Sequence, residues 1–232
     1  MIKEFFSRNP HLLFYTILAG SVLVIRIPVI GRYFRTVNTL LHESGHAIAA
    51  ILTSGEVMSI ELSSDTSGSA YTKSGSKLKA MFVSFAGYPV AALFSGILLA
   101  FATAQQPKTV FFLLLSVALL NLALFVRNFY GIVWLFSFSG LILFVFWLGD
   151  VTLSYIFTLA VSLISFSETV FSTLIILYLS FSQPKKAGDT TNLARASGIP
   201  AAFWGLLITA LVSWIVWLTI ARYFPFPLKP LI

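Results

Sequence analysis

Long apolar runs follow one another along most of this chain of 232 residues, and they constrain its fold more than any other feature. A helix needs about 20 apolar residues to cross a bilayer. Only 10% of the residues are charged, whereas an ordinary soluble domain carries about 25%. So little charge cannot cover a water-soluble surface. The sequence therefore predicts an all-α polytopic membrane protein with about six or seven transmembrane helices, forming one integral membrane domain over residues 1–232.

The apolar runs give the bounds of the predicted helices. They lie at about 11–31, 34–53, 79–104, 109–126, 129–148, 151–181 and 200–221. Between the second and third runs, residues 56–73 alternate apolar with polar side chains around a Ser/Asp/Thr/Gly turn, which is typical of a β-hairpin. An open strand edge in lipid leaves backbone groups unpaired, so we expect this hairpin at the interface or inside a protected cavity.

The basic residues lie in small groups at the ends of the apolar runs, and the net charge is +7. This arrangement is typical of anchors that face anionic lipid, and it disfavours a nucleic-acid partner. With seven crossings, the distribution of Lys and Arg favours a cytoplasmic N-terminus. The compact chain without cysteine fits a bacterial plasma membrane. The absence of cysteine also means that any metal must be bound by His, Asp or Glu.

The stretch His42-Glu43-Ser44-Gly45-His46 places ionisable groups inside the second apolar run. On a helix, His42 and His46 project from the same face, so both imidazoles can reach one tetrahedral zinc ion. Glu43 then lies beside the remaining coordination position, where it can take a proton from water. The alternative is a polar cluster that joins helices by hydrogen bonds. Ionisable groups within membrane spans are more often functional, which favours the metal site.

A catalytic zinc site needs a third protein ligand. Of the eight acidic residues, Glu168 lies in the middle of a predicted span, at a depth similar to that of His42. We therefore predict Glu168 as the third ligand, with Asp189 as the alternative. The other interpretations are a Glu168 carboxyl hydrogen-bonded among nearby Ser and Thr, and an Asp189 that caps a short helix.

Two further features have both a functional and a structural interpretation. Asn128 could bind a substrate carbonyl or an oxyanion, or it could simply accompany Arg127 at the end of a span. The Ser- and Thr-rich segment 151–181 could line a path for water, and the hairpin could add a strand from an unwound substrate.

Several segments together resemble the M50B-like family of the site-2 protease superfamily of intramembrane zinc metallopeptidases. They are LLHESGHAIAAILTSGEV, GSAYTKSG, FAGYPVAALFSG, VRNFYGI, SLISFSET and AGDTTNLARASGIPAAFWGLL. The resemblance implies a site-2-protease-like core, a Zn²⁺ cofactor, a membrane protein or peptide as substrate, His42 and His46 as ligands and Glu43 as the base. Better-studied relatives take their third ligand from N-P-D-G or L-D-G. The equivalent RNFYG has no Asp, so Glu168 or Asp189 replaces it, or the branch has lost full activity.

Two other functions remain open at this stage. One is a non-catalytic membrane scaffold or chaperone that retains the zinc pocket. The other is a transporter that binds a metal ion through His42, His46 and Glu168. Zinc stoichiometry distinguishes the scaffold from the other two functions, and a Glu43→Gln variant distinguishes a peptidase from a transporter.

Overall fold

The computed structural model describes residues 9–225, which form helices and a single two-stranded sheet. The elements in chain order are α1 (Pro10–Val24), α2 (Ile30–Leu52), β1 (Glu56–Leu62), β2 (Gly68–Lys73), α3 (Lys77–Thr103), α4 (Pro107–Leu124), α5 (Phe129–Trp147), α6 (Val151–Ser182), α7 (Gly188–Ser197) and α8 (Ala201–Tyr223). The predicted all-α membrane fold with a small hairpin is confirmed. Residues 1–8, on which the predicted orientation partly depends, lie outside the described part.

Five of the described helices are long and apolar enough to cross a bilayer, namely α3, α4, α5, α6 and α8. Helix α1 is apolar but has 15 residues, fewer than the about 20 that a crossing needs. It ends at Val24, earlier than the predicted 31, because the chain turns through Pro28 and through Val29, whose φ is +70°. Helix α2 has 23 residues and is amphipathic, with Glu43 and His46 on its buried side.

Helix α6 packs against α1, α2, α3 and α8. Its buried side carries the Ser and Thr residues for which a water path was one interpretation. The hydroxyls of Thr158, Ser162 and Thr173 each donate to the carbonyl four residues earlier, at 2.7–2.8 Å. Small side chains also allow close packing, since a Cβ atom on Gly205 of α8 would lie 2.7 Å from Ser180. This face of α6 is therefore mainly a helix-packing surface.

The hairpin has one closed edge. The N–H of Ile60 in β1 donates to Phe125 O at 2.8 Å, and Arg127 N–H donates to Ile60 O at 3.3 Å. The side-chain amide of Asn128 continues this pairing, because it accepts from Leu62 N–H at 3.1 Å and donates to Leu62 O at 2.6 Å. The connection between α4 and α5 thus covers the outer edge of β1. Strand β2 lies against α2 on the other side.

Candidate metal centre

Two histidines of α2 and one aspartate of α7 converge on a single point. The Nε2 atoms of His42 and His46 lie 3.0 Å apart, as the spacing of four residues on one helix predicts. Oδ2 of Asp189 lies 3.1 Å from the first nitrogen and 3.3 Å from the second. These three residues form the group that could hold a metal ion among the described residues.

The surroundings of His46 determine which ring nitrogen can bind a metal. Its Nδ1 lies 2.7 Å from the carbonyl oxygen of Val83 in α3. A carbonyl oxygen can only accept, so Nδ1 carries a hydrogen and donates it. A neutral ring then presents the Nε2 lone pair to the point of convergence. Metal-binding histidines are oriented in this way by an acceptor behind the ring.

The spacing of the three donor atoms fits zinc. Bonds of about 2.0–2.1 Å in a tetrahedron separate neighbouring ligand atoms by about 3.3–3.4 Å. The three observed separations are 3.0, 3.1 and 3.3 Å, so little movement is needed to accommodate the ion. Two imidazoles with one carboxylate form a common zinc donor set, which leaves a fourth position for water or substrate.

Asp189 is held in the first turn of α7, where the helix dipole favours a negative charge. Hydrogen bonds anchor this turn to α6 and to the preceding connection, because Thr190 Oγ1 lies 2.8 Å from Ser180 Oγ and Thr191 donates to Pro184 O at 2.8 Å. Burial raises the pKa of Asp189, but the positive charge that His46 carries without a metal and the hydrogen bonds with both imidazoles outweigh it, so this pKa lies below its usual value. The carboxyl is therefore ionised, as a metal ligand must be.

Helix α3 supplies a close-fitting wall behind the histidines. A Cβ atom on Gly87 would lie 2.5 Å from Cε1 of His42 and 2.7 Å from Cε1 of His46, so only glycine fits there. The ring of Tyr88 packs edge to face on His42, with centroids 4.5 Å apart. The sequence alone did not predict a role at the site for Gly87 or Tyr88. Both lie in the FAGY segment, which is one of the segments that resemble the family.

Glu43 lies beside the group, in a cavity of about 570 Å³ that strand β2 lines on one side. Its side chain is buried against the start of β2, because a Cβ atom on Gly68 would lie 2.7 Å from Glu43 Oε1. The backbone N–H of Ala70 also faces the Glu43 carboxylate. The carboxylate therefore shares a cavity with the donor atoms and is held in place by the strand.

The other predicted site residues have different partners. Oε1 of Glu168 accepts a hydrogen bond from Nη2 of Arg35 at 2.8 Å, and Glu168 lines the cavity without joining the group of three donors. Both polar groups of the Asn128 amide are used by Leu62, as described above, and Asn128 does not line the cavity. Arg127 donates to carbonyls at the end of α4. The geometry thus favours Asp189, the alternative predicted ligand, over Glu168.

Comparison with known proteins identifies one family. The Peptidase M50B-like family matches residues 14–219, which include every residue discussed at the site. No curated protein and no solved structure matches the chain significantly. The match covers most of the chain, and the chain therefore belongs to the Peptidase M50B-like family.

Proposed function

We propose that this protein is an intramembrane zinc metallopeptidase, which hydrolyses peptide bonds of membrane-embedded substrates. One observation carries the proposal. Three metal-donor atoms lie within 3.3 Å of one another in a cavity that also holds a buried glutamate. This combination is the one needed for metal-assisted hydrolysis. Membership of a peptidase-like family supports it.

The residues divide into two roles. His42, His46 and Asp189 would hold Zn²⁺, and a bound zinc ion polarises a carbonyl and lowers the pKa of water. Glu43 accepts the proton of the attacking water and afterwards delivers it to the leaving nitrogen of the peptide. The contacts of Glu43 with Gly68 and Ala70 keep its carboxylate on the side of the cavity lined by β2.

The outer edge of β2 offers a place for the substrate. Ile60 directs its N–H and C=O away from β2, and its partner in the antiparallel register is Ala70. Ile60 and Ala70 therefore face each other without hydrogen bonds between them, and both residues of such a pair direct their N–H and C=O away from the partner strand. The backbone groups of Ala70 thus point toward the cavity. By alternation, Gly68 and Thr72 do the same, and all three line the cavity.

A substrate helix hides its peptide bonds in internal hydrogen bonds, and it must unwind before hydrolysis. An unwound segment could replace those bonds by pairing with β2 as an added strand. Because the edge of β1 is covered, β2 is the edge of this sheet that can accept a segment. The paired segment would then lie along the same cavity as Glu43 and the donor atoms.

A Glu43→Gln variant tests the proposal against the scaffold and the transporter. Purified protein in nanodiscs is analysed for bound zinc and for cleavage of a panel of tagged single-span membrane peptides. We expect wild-type protein to cleave at least one peptide, and the variant to keep zinc but lose cleavage by about 10²–10⁴-fold, the usual contribution of a general base. Glu61→Gln, at an exposed position of the hairpin, is the matched control. Cleavage that survives in Glu43→Gln would contradict the assigned base.

Two other results would favour the alternative functions. A wild-type protein that binds much less than one zinc ion per chain and cleaves no peptide in the panel would favour the non-catalytic scaffold. Metal flux into vesicles that carry the wild-type protein, without cleavage, would favour the transporter.

A further inference from the structure

A second cavity of about 340 Å³ lies on the other side of the Arg35–Glu168 ion pair, between the end of α1, α2 and the C-terminal half of α6. Its charged lining residues are Arg26, Arg35 and Glu168. Two guanidinium groups face one carboxylate, so the cavity has a surplus positive charge. Neither the metal centre nor the proposed peptidase mechanism uses this surplus.

The arginines of this cavity have hydrogen-bond donors without acceptors. Arg35 uses Nη2 for Glu168, but its buried Nε has no hydrogen-bond partner within residues 9–225. The guanidinium of Arg26 lies over the ring of Phe171, 4.9 Å from its centroid, and its N–H groups donate to no described residue. Phe171 thus fixes the guanidinium by a cation–π contact and leaves its donors available. Such donors suit an anion with several oxygen atoms.

The rest of the cavity is apolar and leads outward along α6. Leu174 and Ile175 are each 52% exposed and Tyr178 is 67% exposed. Helix α6 has 32 residues, whereas about 20 cross the hydrocarbon core. Counting about 20 residues from Val151 brings Phe171 to the opposite boundary of the bilayer, the level of lipid headgroups. On this count the arginine end of the cavity lies at the depth of lipid phosphates, and Leu174 and Tyr178 lie farther out than the hydrocarbon core.

We propose that this cavity is a binding site for the headgroup of an anionic phospholipid. The phosphate oxygens accept hydrogen bonds from Arg26 and from Nε of Arg35, and the acyl chains extend away from Leu174 and Tyr178, toward the hydrocarbon core. The surplus positive charge favours a headgroup with net negative charge over a zwitterionic one, whose ammonium group would meet the arginines. This site is independent of the peptidase activity.

Native mass spectrometry of the full-length protein tests the site. Protein is released from nanodiscs of phosphatidylcholine and phosphatidylglycerol in equal amounts, in 0.3 M volatile salt, where exposed charges are largely screened. We expect wild-type protein to retain phosphatidylglycerol in preference to phosphatidylcholine, and Arg26→Ala to reduce that retention about tenfold. Arg32→Ala removes an equal charge from an exposed position of α2 outside the cavity. This control should change retention by less than about twofold.

Other results of this experiment would overturn the proposal. Equal losses in Arg26→Ala and Arg32→Ala would mean general attraction to an anionic surface. Equal retention of the two lipids would remove the role of charge. Displacement of the lipid by millimolar inorganic phosphate would identify a site for a free anion. Bound zinc is measured in every variant to verify folding. Arg26→Lys should retain an intermediate amount of phosphatidylglycerol, because it keeps the charge and loses the guanidinium fork.

Discussion

Replacement of Asp189 by Asn gives the sharpest test of the metal centre. The change removes the anionic oxygen that lies 3.1 and 3.3 Å from the two Nε2 atoms, and it keeps the size of the side chain. Loss of a group that only orients a ligand weakens metal binding by about 10–100-fold. Loss of a ligand itself should exceed that range, so we expect Asp189→Asn to weaken zinc binding by more than about 100-fold, or about 2.8 kcal/mol.

Glu168→Gln is the matched comparison, because it removes the other carboxylate of the cavity. Glu168 pairs with Arg35 at 2.8 Å and lies outside the group of donors, so we expect its zinc affinity to stay within about threefold of wild type. Breaking this ion pair leaves Arg35 without a partner. Arg35→Gln/Glu168→Gln, in which both charges are absent, therefore accompanies the single variant.

Zinc affinity is measured on protein in detergent by competition with a fluorescent chelator, and stoichiometry by elemental analysis after dialysis. Thermal unfolding of each variant shows whether a lost zinc ion reflects a lost fold. Asp189 would be excluded as a ligand if Asp189→Asn bound zinc like wild type while Glu168→Gln, still folded, released it. Glu168 would then be the third ligand.

Three further predictions concern glycines and the hairpin. Gly87→Ala should weaken zinc binding by about tenfold or more, because its methyl group would lie 2.5 Å from the His42 ring, whereas Gly140→Ala, with open space around it, should bind zinc normally. Gly68→Ala should retain zinc but cleave more slowly, because its methyl group would displace the Glu43 carboxylate, and a general base contributes about 10²–10⁴-fold to the rate. Unchanged cleavage would contradict the placement of Glu43. Thr72→Pro removes an outward N–H of β2, so it should abolish peptide cleavage while zinc stays bound. Thr72→Val keeps that N–H and should remain active. Equal cleavage by the two variants would argue against strand addition.

The local parts of the site could be predicted from sequence because they depend on periodicity. His42 and His46 come together through one helical turn, and the hairpin follows from alternation within residues 56–73. Both features are confined to short segments. The same holds for the apolar runs, whose length and composition predicted the membrane class.

The choice between the two carboxylates could not be predicted in this way. Glu168 was preferred because it lies mid-span without an evident partner, yet its partner Arg35 is 133 residues away in sequence. Asp189 reaches the histidines because hydrogen bonds fold the start of α7 back onto α6. The depth of a residue along its span does not determine which side chains of other helices it contacts, and a metal site depends on those contacts.

The covered edge of β1 also bears on self-association. In the plane of a bilayer, copies of one protein meet at high concentration, and an open strand at the periphery would let two copies pair edge to edge. The amide of Asn128 and the backbone of residues 125–127 occupy that position, and the remaining edge of the sheet faces the interior cavity. A neighbouring copy therefore cannot pair its own sheet with β1. The covered edge thus removes one of the two edges of this sheet through which two copies could pair, and the open edge is the one that lines the cavity.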